Sequence, residues 1–340
     1  MNVTTVGIDL AKNVFSVHGV GKEGKVRLRC AVGRADLLAM FAQMPPCLIG
    51  MEACSGAHHF ARELRKLGHD ARIMAPRFVA PYRKSGKNDG NDAEAICEAV
   101  GRPNMRFVAV KSIDQQALLV LHRARKAVSD QRTGLINQLR GMLCEFGVVL
   151  PRGRYNFRHK LPVALEDRGN GIPDLARRIF REIDERIRTL DGQILAYDRE
   201  LAALARQSEA ASRLMAMPGI GPVTATAIVA SVGDMKVFGS GREFAAWLGL
   251  VPRQYSTGGK TRLGRITKQG DVYLRTLLIH GTRAVLAALG YKDDRLSCWI
   301  RSLVERRGYR KAAVALAAKH ARMIWAMLAK GEPYRSPRAV

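Results

Sequence analysis

The chain has 340 residues, of which 56 are lysine or arginine and 30 are aspartate or glutamate, so its formal net charge is +26. A surface this basic attracts polyanions, so nucleic acid is the expected partner. Because no stretch approaches about 18 uncharged apolar residues and no signal peptide opens the chain, we expect a cytoplasmic protein without a membrane span.

The first third of the chain alternates short apolar runs with helical patterns. Strands are predicted over residues 3–20, 26–32, 48–51 and 71–74, and helices over 35–44, 59–67 and 92–100. This order predicts an α/β sheet with helical crossovers.

Four acidic residues in this part lie where a charge requires compensation. Asp9 interrupts one apolar run and Glu52 ends another, so each charge would be costly to bury unless something neutralised it. Asp89 and Asp92 lie three residues apart at the start of the predicted helix 92–100, so both can project from its first turn. Carboxylates in such positions supply the oxygen ligands that Mg2+ or Mn2+ prefers. On a basic chain, this metal site predicts phosphodiester chemistry.

The chain becomes purely helical from about residue 115. One heptad pattern ends near residue 146, and a second, clearer seam is formed by Ile183, Ile187, Leu190, Ile194, Tyr197, Leu201 and Leu204. The pattern predicts two long helices of the coiled-coil type, paired either within the chain or between two chains. Residues 151–173, rich in Gly, Pro and Arg, are interpreted as a connector.

A third region begins near residue 213. The turn over 217–222 precedes a predicted helix over 223–232 and has the form of a helix-hairpin-helix turn. In such a turn Gly219 and Gly221 let the backbone approach a phosphate. An ordinary tight turn between core helices is the alternative. Further helices are predicted over 244–248, 273–289 and 310–328.

Residues 253–271 interleave hydroxyls, glycines and cations. Glycines free the backbone to curl around an anion, and a hydroxyl among cations, Ser256 or Thr257, can attack phosphorus. A flexible basic loop whose hydroxyls bond only to the backbone is the alternative. The nucleic-acid contacts predicted here are Arg253, Tyr255, Thr257, Lys260, Arg262, Arg265 and Lys268.

Five segments, taken in order, resemble one known family. They are Gly-Ile-Asp-Leu-Ala-Lys at 7–12, Met-Glu-Ala-Cys-Ser-Gly at 51–56, Lys-Asn-Asp-Gly-Asn-Asp-Ala-Glu at 87–94, Pro-Gly-Ile-Gly at 218–221 and Gly-Leu-Val-Pro-Arg-Gln-Tyr-Ser-Thr-Gly-Gly-Lys at 249–260. These are similar to the DEDD transposases of the insertion-sequence one-hundred-ten family, and most similar to the subgroup named after insertion sequence eleven-eleven.

The resemblance implies a domain organisation. An amino-terminal RuvC-like domain with an α/β RNase H fold would occupy 1–112, and a helical coiled-coil segment 113–207. A mainly α transposase domain, with the helix-hairpin-helix-like turn and the serine segment, would occupy 208–332, followed by a tail over 333–340.

The resemblance also implies residue roles. The catalytic, metal-binding acidic tetrad falls on Asp9, Glu52, Asp89 and Asp92. The nucleophile falls on Ser256, the only serine of its segment, and Thr257 is the alternative because some members have their serine directly before the glycine. A structured non-coding guide RNA, called a bridge or seek RNA, would pair with double-stranded donor and target DNA.

The expected activity is RNA-guided, site-specific DNA recombination through a covalent phosphoserine, with Mg2+ held by the tetrad. A dimer assembling into a tetramer would act on the nucleoid, with the active site completed in cis or in trans. The first alternative is a RuvC-like endonuclease of the junction-resolvase type that hydrolyses with water. The second is a basic nucleic-acid-binding protein with an inactive RNase H-like fold.

Overall fold

The computed structural model describes residues 2–84, 86, 88–290 and 292–335. Lys87 of the 87–94 motif and residues 336–340 of the predicted tail lie outside the described residues. The chain divides into two units, Met1–Ser112 and Ile113–Val340. The four-part division drawn from the sequence stays a prediction.

The amino-terminal unit is a mixed sheet with helices, as the sequence predicts. Its elements are β1 (Thr5–Asp9), β2 (Val14–Val20), β3 (Val26–Gly33), α1 (Leu37–Ala42), β4 (Leu48–Glu52), α2 (Ala57–Lys66), β5 (Asp70–Met74), α3 (Pro76–Val79), α4 (Asp89–Val100) and β6 (Phe107–Val108). The sheet order is β3-β2-β1-β4-β5-β6. β1 and β5 are parallel to β4, and the remaining neighbours are antiparallel. This arrangement is consistent with an RNase H-like domain.

The two faces of this sheet are covered differently. Val6 and Ile8 of β1 are fully buried in a core that includes residues of α1 and α2. Gly7, between them, faces α4, and a Cβ built there would lie 2.2 Å from the carbonyl oxygen of Ala93. The absence of a side chain therefore lets α4 pack directly on β1.

Helix α4 begins three residues earlier than the sequence predicts. The backbone N–H of Asn91 donates to Oδ1 of Asn88 at 2.8 Å, so Asn88 is the N-cap. Both Asp89 and Asp92 consequently lie in the first turn, where the helix dipole favours negative charge.

The carboxy-terminal unit is mostly helical. Its elements are α5 (Ile113–Cys144), α6 (Arg154–Glu166), α7 (Asp174–Gln207), α8 (Glu209–Met215), α9 (Pro222–Val232), α10 (Gly241–Trp247), β7 (Pro252–Thr257), β8 (Lys260–Ile266), α11 (Val272–Ala287), α12 (Arg295–Arg307) and α13 (Tyr309–Ala329).

The long helices α5 and α7 pack against each other within the chain. Arg125 pairs with Asp198 at 2.5 Å and Arg132 with Asp191 at 3.0 Å, so the two helices are antiparallel. Every second residue of the predicted seam is buried, namely Ile187, Ile194 and Leu201. These contacts support the internal pairing, and a coil between two chains stays a prediction.

The interpretation of 151–173 as a connector is wrong over its middle part, which forms α6. Three apolar side chains at four-residue spacing are buried there: Phe157, Leu161 and Leu165. The guanidinium of Arg140 donates to the carbonyl oxygens of Pro151 at 2.6 Å and Gly153 at 3.1 Å, which fixes the entry to the helix. Pro162 lies inside α6. Tertiary packing here overrides the local breaker signal.

Among the described residues, α13 is long and apolar enough to cross a membrane by length and composition alone. Leu316, Ala321 and Ile324 on it are fully buried. Lys319 and Arg322 interrupt its apolar sequence. This packing is typical of a core helix.

Candidate active site

Asp9 and Glu52 lie at the carboxyl ends of two adjacent parallel strands. Ile8 pairs with Met51, so Asp9 and Glu52 come one residue further along strands that are about 4.8 Å apart. Side chains alternate along a strand, and Gly7 faces α4, so Asp9 faces the α4 side as well. The same parity places Glu52 on that side, and both carboxylates are half-buried.

Cys54 lies near both Asp9 and Glu52, which we call the acid pair. Burial, and next the negative charges of Asp9 and Glu52, raise the pKa of the Cys54 thiol. The charges of both carboxylates therefore act on the same thiol and raise its pKa. Cys54 was assigned no role from the sequence, and only its position two residues after Glu52 could have indicated this closeness.

The other two predicted ligands lie in the first turn of α4. Asp92 is paired with Arg83, whose Nε lies 3.1 Å from Oδ1 of the carboxylate. Within the part of the chain that the structure describes, no three His, Cys, Asp or Glu residues are arranged to hold a metal ion. The structure thus brings Asp9 and Glu52 together, and the complete tetrad with Asp89 stays a prediction.

The acid pair fits a divalent cation by its chemistry. Two carboxylates on one face of the sheet offer hard oxygen ligands, which suit Mg2+ or Mn2+. Arg83 competes with a metal ion for Oδ1 of Asp92, because the guanidinium already contacts that oxygen. Arg83 is a second residue that was assigned no role from the sequence.

The segment around Ser256 is a β-hairpin, which differs from the flexible basic loop considered as the alternative. β7 and β8 pair antiparallel, with Ser256 opposite Thr261. The turn consists of Gly258 and Gly259, at φ 55° and 75°. A two-residue turn with both residues at positive φ matches the twist of a hairpin, and glycine meets that requirement without strain. All of β7 is exposed.

The two faces of the hairpin carry different side chains. Ser256 shares a face with Gln254 because their side chains are hydrogen-bonded, and Thr261 lies opposite. Strand alternation puts Thr257 on the other face. The residues of that other face, which we call the cationic face, are Arg253, Tyr255, Thr257, Lys260 and Arg262. Arg265 lies on β8 where the register shifts opposite Pro252 and Gln254, so strand alternation does not assign it to either face.

A side-chain amide donates to the hydroxyl of Ser256. Nε2 of Gln254 lies 2.7 Å from the Oγ atom. A donor to that oxygen favours the alkoxide over the neutral hydroxyl. Sequence reasoning missed Gln254, although its position two residues before Ser256 on a strand would have placed both side chains on one face.

The base of the hairpin is fixed to the helical core. Arg275 is buried and donates to the carbonyl oxygens of Leu248 at 3.0 Å and Gln269 at 2.8 Å. Lys268, predicted to contact nucleic acid, lies at this base with φ 56°, and its N–H donates to the carbonyl oxygen of Gly249. Lys268 is therefore outside the hairpin strands.

A buried polar network continues from this base into the long helices. Nε2 of His122 donates to Oγ1 of Thr226 at 3.1 Å, because that hydroxyl gives its own proton to the carbonyl oxygen of Pro222. Tyr273, in the first turn of α11, then donates to Nδ1 of His122 at 3.1 Å. Burial, and next the charge of Arg125, lowers the pKa of His122 to about 4.

The turn over 217–222 packs on a neighbouring helix. Gly219 has φ 82°, and a Cβ built on it would lie 2.7 Å from the carbonyl oxygen of Gly281 in α11. Gly221 precedes α9, and a Cβ built on it would have no atom of a non-neighbouring residue within 4 Å. Packing against α11 is thus enough to explain a glycine at position 219, as the tight-turn alternative expects. The phosphate contacts of Gly219 and Gly221 stay predictions.

Two family models match the chain. Residues 6–147 match the model DEDD_Tnp_IS110, described as a transposase. Residues 211–295 match the model Transposase_20, described as the transposase IS116/IS110/IS902 family. The first match contains all four predicted acids, and the second contains Ser256.

Curated relatives are similar over nearly the whole chain. A probable family 20 transposase of Pseudomonas aeruginosa is 48% identical over 98% of this chain and 99% of its own length. The transposase for insertion sequence element IS1111A of Coxiella burnetii is 41% identical over 98% and 92%. The transposase for IS1328 of Yersinia enterocolitica is 42% identical over 97% and 98%.

Proposed function

The chain belongs to the IS110 family of insertion-sequence transposases with a DEDD domain, and we propose that it recombines DNA under the direction of a guide RNA. Membership makes the protein a DNA transposase, and its DEDD domain suggests the use of a divalent metal. The proposal adds the guide, the serine nucleophile and Mg2+ as the ion. The protein would act in the cytoplasm, on the nucleoid.

The observation that carries the chemistry is the hydrogen bond from Gln254 to Ser256. The donated bond stabilises negative charge on Oγ, so the proton of Ser256 leaves more readily as the oxygen attacks phosphorus. A bond forms between Oγ and phosphorus, the bond to one bridging DNA oxygen breaks, and that oxygen takes up a proton. In religation, the hydroxyl of another DNA end attacks the phosphoserine and restores Ser256.

The acid pair serves the same reaction. Asp9 and Glu52 would hold the metal, with Asp89 and Asp92 as the further proposed ligands. When bound, a divalent ion neutralises charge that develops on the phosphate oxygens. Two carboxylates on one sheet face at adjacent strand ends support this assignment.

The partners follow from the charge and from the task. The net charge of +26 and the exposed cationic face of the hairpin favour nucleic-acid backbones. Base pairing with a bridge RNA would select donor and target DNA, so the protein itself would bind helix geometry and phosphates. Because two duplexes must be cut and exchanged, we propose a dimer that assembles into a tetramer.

The test uses purified protein, guide RNA, labelled donor and target DNA, and Mg2+. We expect wild-type protein to form a protein–DNA adduct that survives denaturation, and Ser256→Ala to form none. Thr261→Ala removes a hydroxyl directly opposite on the same face and should keep the adduct. An undiminished adduct with Ser256→Ala would remove this serine from its role.

Hydrolysis by water, as in a junction resolvase, is the second candidate. It is favoured by one observation: Asp9 and Glu52 form their pair within the amino-terminal unit, to which Ser256 does not belong. This candidate expects free 5′-phosphate ends and no protein-linked DNA from the same reaction.

A further inference from the structure

Helix α6 exposes a basic and aromatic surface that has no role in the proposed recombination reaction. Between Glu145 and Glu166 the chain carries no acidic residue. The exposed side chains of this stretch that form what we call the α6 surface are Arg152, Arg154, Tyr155, Arg158, His159 and Lys160. Tyr155 is 75% exposed, although it is a large aromatic residue.

Two rings of the α6 surface lie one helical turn apart. The ring centroids of Tyr155 and His159 are 4.3 Å apart, with planes inclined by 51°. Together with Arg154 and Arg158, they line a shallow depression that is open to solvent. Exposed rings beside cations favour ligands that are flat and anionic, because such ligands use both stacking and charge.

The positive charge around these rings is mostly uncompensated. Arg154 pairs with Asp191 at 2.9 Å. Arg158 and Lys160 have no ion-pair partner among the residues that the structure describes. The surface therefore presents at least two cations to solvent beside the two rings.

The α6 surface is held rigidly from below. Phe157 is buried, and the guanidinium of Arg140 lies 5.7 Å from the centroid of its ring. The buried Arg177 donates to the carbonyl oxygen of Leu165 at 2.6 Å, near the end of the helix. Because the backbone of the helix is fixed in this way, binding has to order only the exposed side chains.

We propose that the α6 surface binds unpaired nucleotides of a nucleic-acid strand. A base stacks on Tyr155 and His159, while Arg158 and Lys160 contact the adjacent phosphates. Paired bases hide their faces inside a duplex, so the surface prefers single strands. This inference uses none of the residues of the acid pair or of the serine hairpin, so it can fail without affecting the proposed function.

A photocrosslink locates the contact. Full-length protein is mixed with a single-stranded oligonucleotide that carries one 5-iodouracil, in separate RNA and DNA arms, irradiated and digested with trypsin. We expect an adduct on Tyr155 or His159, in peptides 155–158 or 159–160. Adducts that form only elsewhere in the chain would overturn the proposal.

Binding measurements separate stacking from charge. By fluorescence anisotropy, Tyr155→Ala should weaken single-strand binding roughly tenfold and leave duplex binding unchanged, while Tyr155→Phe keeps wild-type affinity. Arg158→Ala should weaken both and reduce the salt slope by about one. Arg186→Ala is the matched control, an exposed arginine of α7 with no ion pair among the described residues.

Three further outcomes would contradict the proposal. If Tyr155→Ala binds single strands with wild-type affinity, stacking on Tyr155 is excluded. If Tyr155→Ala loses affinity for duplex and single strand equally, the surface binds nucleic acid by charge alone. Polyglutamate is compared with an unlabelled single strand as a competitor for the bound strand. If polyglutamate displaces it at concentrations where the unlabelled strand has no effect, the occupant is an acidic protein segment. Circular dichroism of each variant checks that the fold is retained.

Discussion

Ser256 and Thr257 are consecutive residues whose side chains lie on opposite faces of the β7–β8 hairpin. Ser256 is hydrogen-bonded to Gln254, whereas Thr257 lies opposite Lys260 on the cationic face. A hydroxyl cannot exchange places with its neighbour without a one-residue shift of strand register. The two candidate nucleophiles are therefore separable by experiment.

Removing the second hydroxyl should have a small effect. Thr257→Ala leaves the bond between Gln254 and Ser256 intact, so we expect adduct formation to slow by less than about tenfold, the effect of ~1.4 kcal/mol. The measurement is the rate of adduct formation under single-turnover conditions. Loss of all adduct in Thr257→Ala, with adduct retained in Ser256→Ala, would reverse the assignment.

The amide of Gln254 should contribute to the rate. Gln254→Ala removes the donor to Oγ, and a lost hydrogen bond to a developing charge slows the reaction roughly tenfold to hundredfold. Gln254→Glu, which keeps the shape but supplies an acceptor, should be at least as slow. Wild-type rates in both variants would show that the amide has no part in activating Ser256.

The approach of α4 to β1 should depend on Gly7. A Cβ there would meet the backbone of Ala93 at 2.2 Å, so Gly7→Ala must displace the helix that carries Asp89. We expect a loss of ~1–3 kcal/mol in the free energy of unfolding, together with loss of metal-dependent cleavage. Gly101→Ala is the control, since nothing lies within 4 Å of a Cβ at that position. Equal stability of the two variants would contradict this packing.

The ion pair between Arg83 and Asp92 should compete with metal binding. Arg83→Ala frees the carboxylate, so the Mn2+ concentration that half-saturates cleavage should fall about fivefold, the effect of ~1 kcal/mol. Arg83→Lys keeps the charge and should resemble the wild type. An unchanged or higher Mn2+ requirement in Arg83→Ala would argue against Asp92 as a ligand.

Two buried histidines should make the carboxy-terminal unit sensitive to acid. Burial is the main cause that lowers the pKa of both His122 and His320 from 6.5 to about 4. As pH falls below 6.5 the unfolded chain takes up protons that the folded chain does not, so stability is complete above pH 6.5 and falls until about pH 4. Each histidine contributes ~3 kcal/mol to this loss.

The two histidines differ in their partners, which provides a matched pair of variants. Among the described residues, neither ring nitrogen of His320 has a hydrogen-bond partner, so His320→Leu should be nearly neutral at pH 7. His122→Leu deprives Thr226 and Tyr273 of a partner and should cost ~1–3 kcal/mol. Both should flatten the pH dependence of urea unfolding between pH 6.5 and 4. If both variants kept the pH dependence of the wild type, protonation of these two histidines would not be its cause.

The positions of Asp9 and Glu52 at strand ends were predictable from the sequence. The ion-pair partners that come from other segments of the same chain were not. Asp9 and Glu52 end short apolar strands, and adjacent parallel strands place such ends side by side. The pair between Arg83 and Asp92 joins a loop to a helix, and no periodic pattern encodes it. The heptads predicted the two long helices, but a seam does not specify whose helix fills it, so the contact of α5 with α7 became clear only in the structure.

The hairpin and α6 were missed for opposite reasons. β7 and β8 are exposed along nearly their whole length, so no apolar alternation marks them and only the Gly258–Gly259 pair signalled a turn. In α6, Gly153 and Pro162 are local helix breakers, while the contacts that stabilise the helix come from Arg140 and the long helices.

The most direct test of the account is the identity of the residue that becomes linked to DNA. Adduct formed with guide RNA and Mg2+ is digested with nuclease and trypsin, and peptide 254–260 is fragmented in a mass spectrometer. We expect a nucleotide mass on Ser256. A nucleotide on Thr257 or Tyr255, or unmodified peptide together with free 5′-phosphate ends, would contradict the central claim that this serine breaks and rejoins the strand.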